Sequence, residues 1–368
     1  MSDLPGPDTP DRVALVFWTL ARVLAACAGF ILLLTVTFLL LGIAPAEGLR
    51  SLWAGAFGDA QSGRWYAVSE TLVKATPLLL TALGVTVAWR AGLFSIGGEG
   101  QLLLGAITAT ATVRLMGALP GPMLTLLALV MGAAAGAFWG WIAGWLRVRR
   151  NVQEVISTIM LNYIALYLLG WLVDKGPLQE SARRVAQSDP LPSTVLFARL
   201  IPPAWSDGIA TRLHSGVLLA FLAVPVITLL LFHTRTGFGL RLIGQNAEAA
   251  RTARYPVRAL RLQAMALSGA LCGLAGCVEL LGVTGRLFAN FSPGWGFTAI
   301  PVALLGGLHP VGVLLSALFF GALTAGSGNL ARFSGVSSVL IYILQAVAVL
   351  AVVGLRAYQA LRARSEGD

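Results

Sequence analysis

The stretch from Pro122 to Leu146 reads PMLTLLALVMGAAAGAFWGWIAGWL and is followed at once by Arg147-Val148-Arg149-Arg150. No charge interrupts the run, and it exceeds the roughly 20 residues a helix needs to cross the hydrocarbon of a bilayer. Gly132, Gly136, Gly140 and Gly144 recur every fourth residue. They therefore share one helix face and let a neighbouring backbone come close. An uncharged helix with a glycine face and an arginine cluster at its end belongs in a membrane, packed against other helices.

The rest of the chain agrees. Its 368 residues are 57% hydrophobic and 11% charged, with a mean hydropathy of +0.80, where soluble domains carry about 25% charged residues. Apolar stretches recur at 23–43, 68–89, 100–119, 122–146, 155–173, 216–233, 262–284, 296–308, 310–327 and 336–355. The fold expected is all-α: a polytopic transmembrane helical bundle of about ten spans, the eighth short or broken. Ala44-Pro45-Ala46 resembles a signal-cleavage site. The apolar run before it is longer than the roughly 7 to 15 residues of a signal peptide, so it reads as a retained first span.

A net charge of +10 would suggest a nucleic-acid partner in a soluble protein. In a membrane protein it is read by position, because an excess of Arg and Lys marks cytoplasmic loops. Residues 147–153 carry three Arg and no acid, residues 234–261 carry six Arg against Glu248, and the tail has Arg356, Arg362 and Arg364. With the N-terminus inside, four crossings return the chain to the cytoplasm at Arg147 and two more at Arg235. An even number must then follow, which favours counting 296–308 as a short or broken crossing. The expected organisation is a cytoplasmic tail over 1–22, a membrane domain over 23–355 and a cytoplasmic tail over 356–368. Residues 174–215, with Pro177, Pro190, Pro192, Pro202 and Pro203, form an external loop, and 234–261 a cytoplasmic one. The bilayer is the expected partner, and nucleic acid is not.

Catalytic signatures are missing. There is no G-x-x-x-x-G-K-[ST] phosphate loop, no H-E-x-x-H and no G-x-S-x-G elbow. His214, His233 and His309 are scattered, and Cys27, Cys272 and Cys277 show neither metal-ligand nor C-x-x-C spacing. No cofactor or enzymatic role is expected. Three polar features remain. In Phe94-Ser95-Ile96-Gly97-Gly98-Glu99-Gly100-Gln101, glycines and an acid interrupt an apolar run. The segment is either a broken helix facing a cavity or a tight turn with Glu99 at a helix N-terminus. Within spans lie Glu279, Asn162, Gln345 and the pair Glu70 and Lys74. Intramembrane carboxylates face interiors or cavities, which makes Glu279 a pathway candidate; Asn162 suits an interhelical hydrogen bond equally well, and Glu70 and Lys74, one turn apart, suit a mutual ion pair. Finally, Gln245-Asn246-Ala247-Glu248-Ala249-Ala250-Arg251-Thr252-Ala253-Arg254-Tyr255-Pro256 has an N-cap Asn, an early acid, late arginines and a terminating proline. It reads as a short helix that either docks a soluble partner or lies on anionic lipid.

Taken in order, these motifs resemble the permease subunit of bacterial ABC importers of the basic-membrane-protein nucleoside type, related to the ribose and branched-chain amino acid permeases. The resemblance runs from about Thr71 to Gly354. It rests on Ala91 to Gln101, on Glu154-Val155-Ile156-Ser157-Thr158-Ile159-Met160-Leu161-Asn162-Tyr163-Ile164-Ala165, on Gly244 to Arg251, and on Gly296-Phe297-Thr298-Ala299-Ile300-Pro301-Val302-Ala303-Leu304-Leu305-Gly306-Gly307. Ser95, Gln153 and Pro301 depart from the Asn, Asn and Ala of that pattern. The resemblance implies a multi-pass protein of the bacterial inner membrane with both termini cytoplasmic. It implies partners: a tandem ABC ATPase on which ATP hydrolysis occurs, a second homologous permease and a substrate-binding lipoprotein. Asn246, Ala247, Glu248, Ala249, Ala250, Arg251 and Arg254 would be the ATPase-coupling helix. Glu99, Gln101, Asn162 and Glu279 are the candidate translocation-path residues. A sugar or branched-chain amino acid permease, or an ion-driven carrier, is the alternative.

Overall fold

The computed structural model describes residues 28–40, 42–58, 64–201, 210–334 and a few positions between 342 and 350. Among these there are helices and two isolated bridges, Gln187 with Phe288 and Arg199 with His214, but no strands. The helices are α1 (Ala28–Leu40), α2 (Pro45–Phe57), α3 (Arg64–Arg90), α4 (Gly98–Leu115), α5 (Gly121–Arg150), α6 (Glu154–Asp174) and α7 (Gly216–His233). There follow α8 (Arg235–Gln245), α9 (Ala247–Thr252), α10 (Val257–Glu279), α11 (Trp295–Leu305) and α12 (Pro310–Ser334). A π-turn, Leu280–Thr284, extends α10.

Among the described residues six helices are long and apolar enough to cross a membrane: α3, α5, α6, α7, α10 with its π-turn, and α12. The α1 and α2 pair, bent by 115°, makes a seventh if it is one broken span. The protein is thus a multi-pass membrane protein. The expected tenth stretch and the start of the first lie outside the described residues. Two other expected spans take different forms. α11 has 11 residues, about 16 Å of helix against roughly 30 Å of hydrocarbon. α4 is long enough but contains Glu99 and Arg114 and is mostly buried by its neighbours. A helix shielded from lipid by other helices is free of the all-round apolarity that a lipid-facing one must have.

The chain divides into two units, 54–326 and 1–53 with 327–368. In the smaller one the ring of Phe38 lies against Gly48, and the Asn329 amide donates to the Ser51 carbonyl at 3.0 Å. In the larger unit α10 is central, packing on α5, α3 and α4. The glycine ladder explains how. A Cβ on Gly136 would stand 2.3 Å from the carbonyl oxygen of Gly269, one on Gly269 2.1 Å from that of Gly136, and one on Gly105 2.2 Å from that of Gly273. Three backbones therefore meet where α4, α5 and α10 cross, closer than any side chain allows. Enclosure of α3 follows: Leu78, Leu79, Leu80 and Leu83 are 1% exposed or less. By contrast α6 turns Ile156, Met160 and Ile164 outward, as a lipid-facing helix does.

A candidate site where two broken helices start

α3 ends at Arg90, and the chain then turns at Gly92, whose φ of 71° belongs to the left-handed region that glycine enters without strain. Residues 93–97 run beside the first turns of α6. The Phe94 N–H donates to Glu154 Oε1 (3.3 Å), and the Ile96 N–H to Thr158 Oγ1 (3.2 Å). Asn162 closes the contact twice, its Oδ1 accepting from the Gly100 N–H at 2.8 Å and its Nδ2 donating to the Ile96 carbonyl at 2.9 Å. α6 thus supplies, one turn at a time, the partners that an extended segment lacks within itself. Asn162 stands eight residues into α6, so α4 begins about 12 Å along that membrane-spanning helix. Where water is excluded, non-helical backbone is tolerable only because protein satisfies it.

The other half of the site is α11. Glu99, in the first turn of α4, accepts the Gly296 N–H of α11 on Oε2 at 2.7 Å and is also hydrogen-bonded by the Ser292 side chain. The Ser292 hydroxyl oxygen in turn accepts from the Gly294 and Trp295 N–H groups (both 3.2 Å), which starts the helix. A Cβ on Gly296 would lie 2.1 Å from the Glu99 nitrogen, so the two N-termini are in contact. Each carries a partial positive charge, and one carboxylate lies beside both. At its far end α11 returns to the level of Arg90, whose Nε donates to the Leu308 carbonyl at 2.8 Å.

Three of the expected path residues therefore converge. Glu99 and Asn162 hold the broken segments together, and Gln101 is buried beside them with Oε1 unpartnered among the described residues. Glu279 is not with them. Gln101 neighbours Gly140, which packs on Met265 and Gly269; Glu279 is ten residues beyond Gly269 along α10, about 15 Å away. It lies instead near Glu70, Lys74 and Arg212. Here the expected Glu70 and Lys74 pair is corrected: Glu70 is bridged by both Nε and Nη2 of Arg212, from the loop before α7. Arg212 offers a planar fork that matches a carboxylate, which the single ammonium of Lys74 does not. Thr158, Ser292 and Arg90 were not singled out from the sequence. For Ser292 a signal existed, since Ser-Pro before an apolar run marks a helix start.

At the Arg-rich end, the segment expected to form a capped helix does so over Ala247–Thr252, with Asn246 Oδ1 accepting from the N–H groups of Glu248 (3.0 Å) and Ala249 (3.1 Å). Its end differs from expectation. The helix stops at Thr252, Arg254 takes a φ of 60°, and Pro256 opens α10 instead of closing α9. Glu248, Ala249, Arg251 and Arg254 are exposed, while Ala250 is buried. Residues 174–201 and 210–215 fold against the opposite end of the bundle. The Glu180 carboxylate accepts from the Gln187 side chain and the Val185 and Arg184 N–H groups, and these bonds hold its pKa below the ordinary value. The backbone and hydroxyl of Ser181 do the same for Asp189.

Comparison with known proteins places this architecture. Residues 67–352 match the family model described as branched-chain amino acid transport system / permease component. The guanosine ABC transporter permease protein of Bacillus subtilis is 38% identical over 90% of this chain and 91% of its own length. The glucose ABC transporter permease protein of Haloferax volcanii is 38% identical over 77% of this chain and 75% of its own. A nucleoside ABC transporter permease protein of Lactococcus lactis is 32% identical over 84% and 83%. An ABC permease is a transport component, not an enzyme, and works with an ATPase and a substrate-binding protein. The chain belongs to the branched-chain amino acid transport system / permease component family, as the membrane-spanning permease subunit of an ABC transporter.

Proposed function

We propose that this permease imports nucleosides by alternating access. The observation that carries the reading is Glu99 between two helix N-termini. Such a pair would bind an anion, but here the Gly296 N–H of α11 is already taken by the chain's own Glu99 carboxylate. An anionic solute would meet a carboxylate there, whereas a neutral nucleoside passes and can use it as acceptor. The names of the guanosine and nucleoside relatives support the same class. A neutral sugar satisfies the electrostatic argument too, and the glucose relative favours that second reading. Uptake of tritiated guanosine, competed in turn by unlabelled adenosine, glucose, ribose and leucine, separates the two. Competition by nucleosides alone is expected, and competition by glucose alone overturns the nucleoside reading.

The topology we infer has about ten crossings, with 91–97 leading into α4 and 285–294 leading into α11 as two broken ones. Both termini and the 234–261 loop are cytoplasmic, 174–215 faces the binding lipoprotein, and the membrane is the bacterial inner membrane. α9 is the coupling helix, received by one half of a tandem ATPase, and a second homologous permease completes the path. Exposure refines the test of α9. Ala250 is buried within its own chain, so a bulky substitution there damages the permease itself; Ala249 is exposed and is the residue to change. Ala249→Arg is expected to abolish co-purification with the ATPase, and normal assembly would refute the assignment.

A further inference from the structure

We propose that Arg90, Gly92 and Gly244 are positioning residues that tie the ATPase-facing loop to both broken helices at once. The proposal rests on the reading of α9 as the coupling helix. Gly244 precedes Asn246, the cap of α9, by two residues. A Cβ on Gly244 would lie 2.1 Å from the Arg90 carbonyl oxygen and 3.0 Å from the Gly92 nitrogen, and one on Gly92 3.1 Å from the Gly244 Cα. The end of α8 and the end of α3 therefore touch backbone to backbone. A second contact lies beside the first: the guanidinium carbon of Arg241, on α8, is 4.8 Å from the centre of the Phe232 ring, with that of Arg90 at 5.7 Å and the His309 ring at 4.9 Å.

From this node two routes lead to Glu99. One is the extended segment 93–97, which starts at the Gly92 turn and ends in the first turn of α4. The other is α11. Arg90 donates to the Leu308 and Gly307 carbonyls (2.8 and 3.4 Å) just past the end of α11, and Gly296 at its start donates to Glu99. Helices are stiff along their axes, and segment 93–97 is held by its bonds to Glu154, Thr158 and Asn162. A displacement of α9 by the ATPase thus moves α8, the node, and the outer ends of both elements whose inner ends meet at Glu99. Packed contacts of this kind transmit small shifts because cores are close-packed and little compressible. Spatial contact does not by itself measure coupling, so the test must.

The measurement is solute moved per ATP hydrolysed, in proteoliposomes holding the complete transporter with its binding protein. Gly244→Ala forces α8 off Arg90, and Arg90→Gln frees the α11 corner without altering the node's backbone. Each is expected to lower the ratio by about tenfold, in the range of ordinary coupling between sites, with the complex still assembled. Ratios within about twofold of the unmodified transporter for both variants would overturn the proposal and leave the docking assignment standing. If Gly244→Ala fails to assemble, Arg90→Gln decides by the same ratio. Ala249→Arg, assayed alongside, isolates the other failure: normal assembly of that variant removes the coupling helix on which the proposal rests.

Discussion

Replacing Asn162 by Ala tests whether this side chain anchors the broken segment or serves only passing solute. The change removes two hydrogen bonds of 2.8 and 2.9 Å and leaves the Gly100 N–H and the Ile96 carbonyl without their partner. Orphaning a buried polar backbone group costs about 1 to 3 kcal/mol. Asn162 is 4% exposed, but a water admitted to the space vacated by the amide would recover part of the loss. The net expectation is about 3 kcal/mol, which at about 2 °C per kcal/mol for a chain of this size lowers the melting temperature by roughly 6 °C. A thiol-reactive fluorogenic dye in detergent provides the assay, since Cys272 and Cys277 are buried and become reactive when α10 leaves the bundle; the background carries Cys27→Ser. Tyr163→Phe, one residue on and 52% exposed, is the control and should not shift. If Asn162→Ala melts within about 1 °C of the parent while uptake disappears, the anchoring argument is wrong and the residue acts on solute alone.

Glu99→Gln keeps an oxygen for the Gly296 N–H but removes the charge shared by two helix N-termini. A selectivity assay should show weaker rejection of a nucleoside monophosphate; unchanged rejection would sink the electrostatic account of Glu99. Gly136→Leu must push α5 from the Gly269 carbonyl and is expected to abolish membrane accumulation, whereas Gly170, with nothing within 4 Å of its would-be Cβ, should accept Ala silently on an immunoblot. The external loop should loosen in acid. Burial first, then Arg199, hold His214 down at about 4 from an ordinary 6.5, so the unfolded loop takes up a proton that the folded one refuses. That stability is complete above 6.5 and is lost as pH falls toward 4. The depressed Glu180 and Asp189 add further loss below their ordinary 4.5 and 3.8. Hydrogen exchange over 180–201 and 210–215, corrected for intrinsic rates, should be faster at about pH 5 than at about pH 7.5; equal protection would contradict it.

What could be read from the sequence and what could not divide along a physical line. Local features were legible because a helix projects them onto one face or closes them within a turn: the glycine ladder of α5, the apolar runs, and the Asn246 cap, whose partners Glu248 and Ala249 are two and three residues on. Contacts between distant segments were not. Asn162 suited an interhelical bond from its type alone, yet nothing local says that it grips 96 and 100. Glu70 had a plausible partner four residues away and took one 142 residues away. Of the two readings of Glu99, an acid at a helix start and a member of a broken segment, the structure shows its place: the first turn of α4, just after the non-helical residues 93–97. A carboxylate at one helix N-terminus is a cap. Here a second N-terminus is brought against it, and the Gly296 N–H of that helix donates to the same carboxylate. Starting two helices side by side and placing an acid between them are therefore one requirement, and the Gly98 and Gly100 that flank Glu99 are the residues that let α11 and α6 come close.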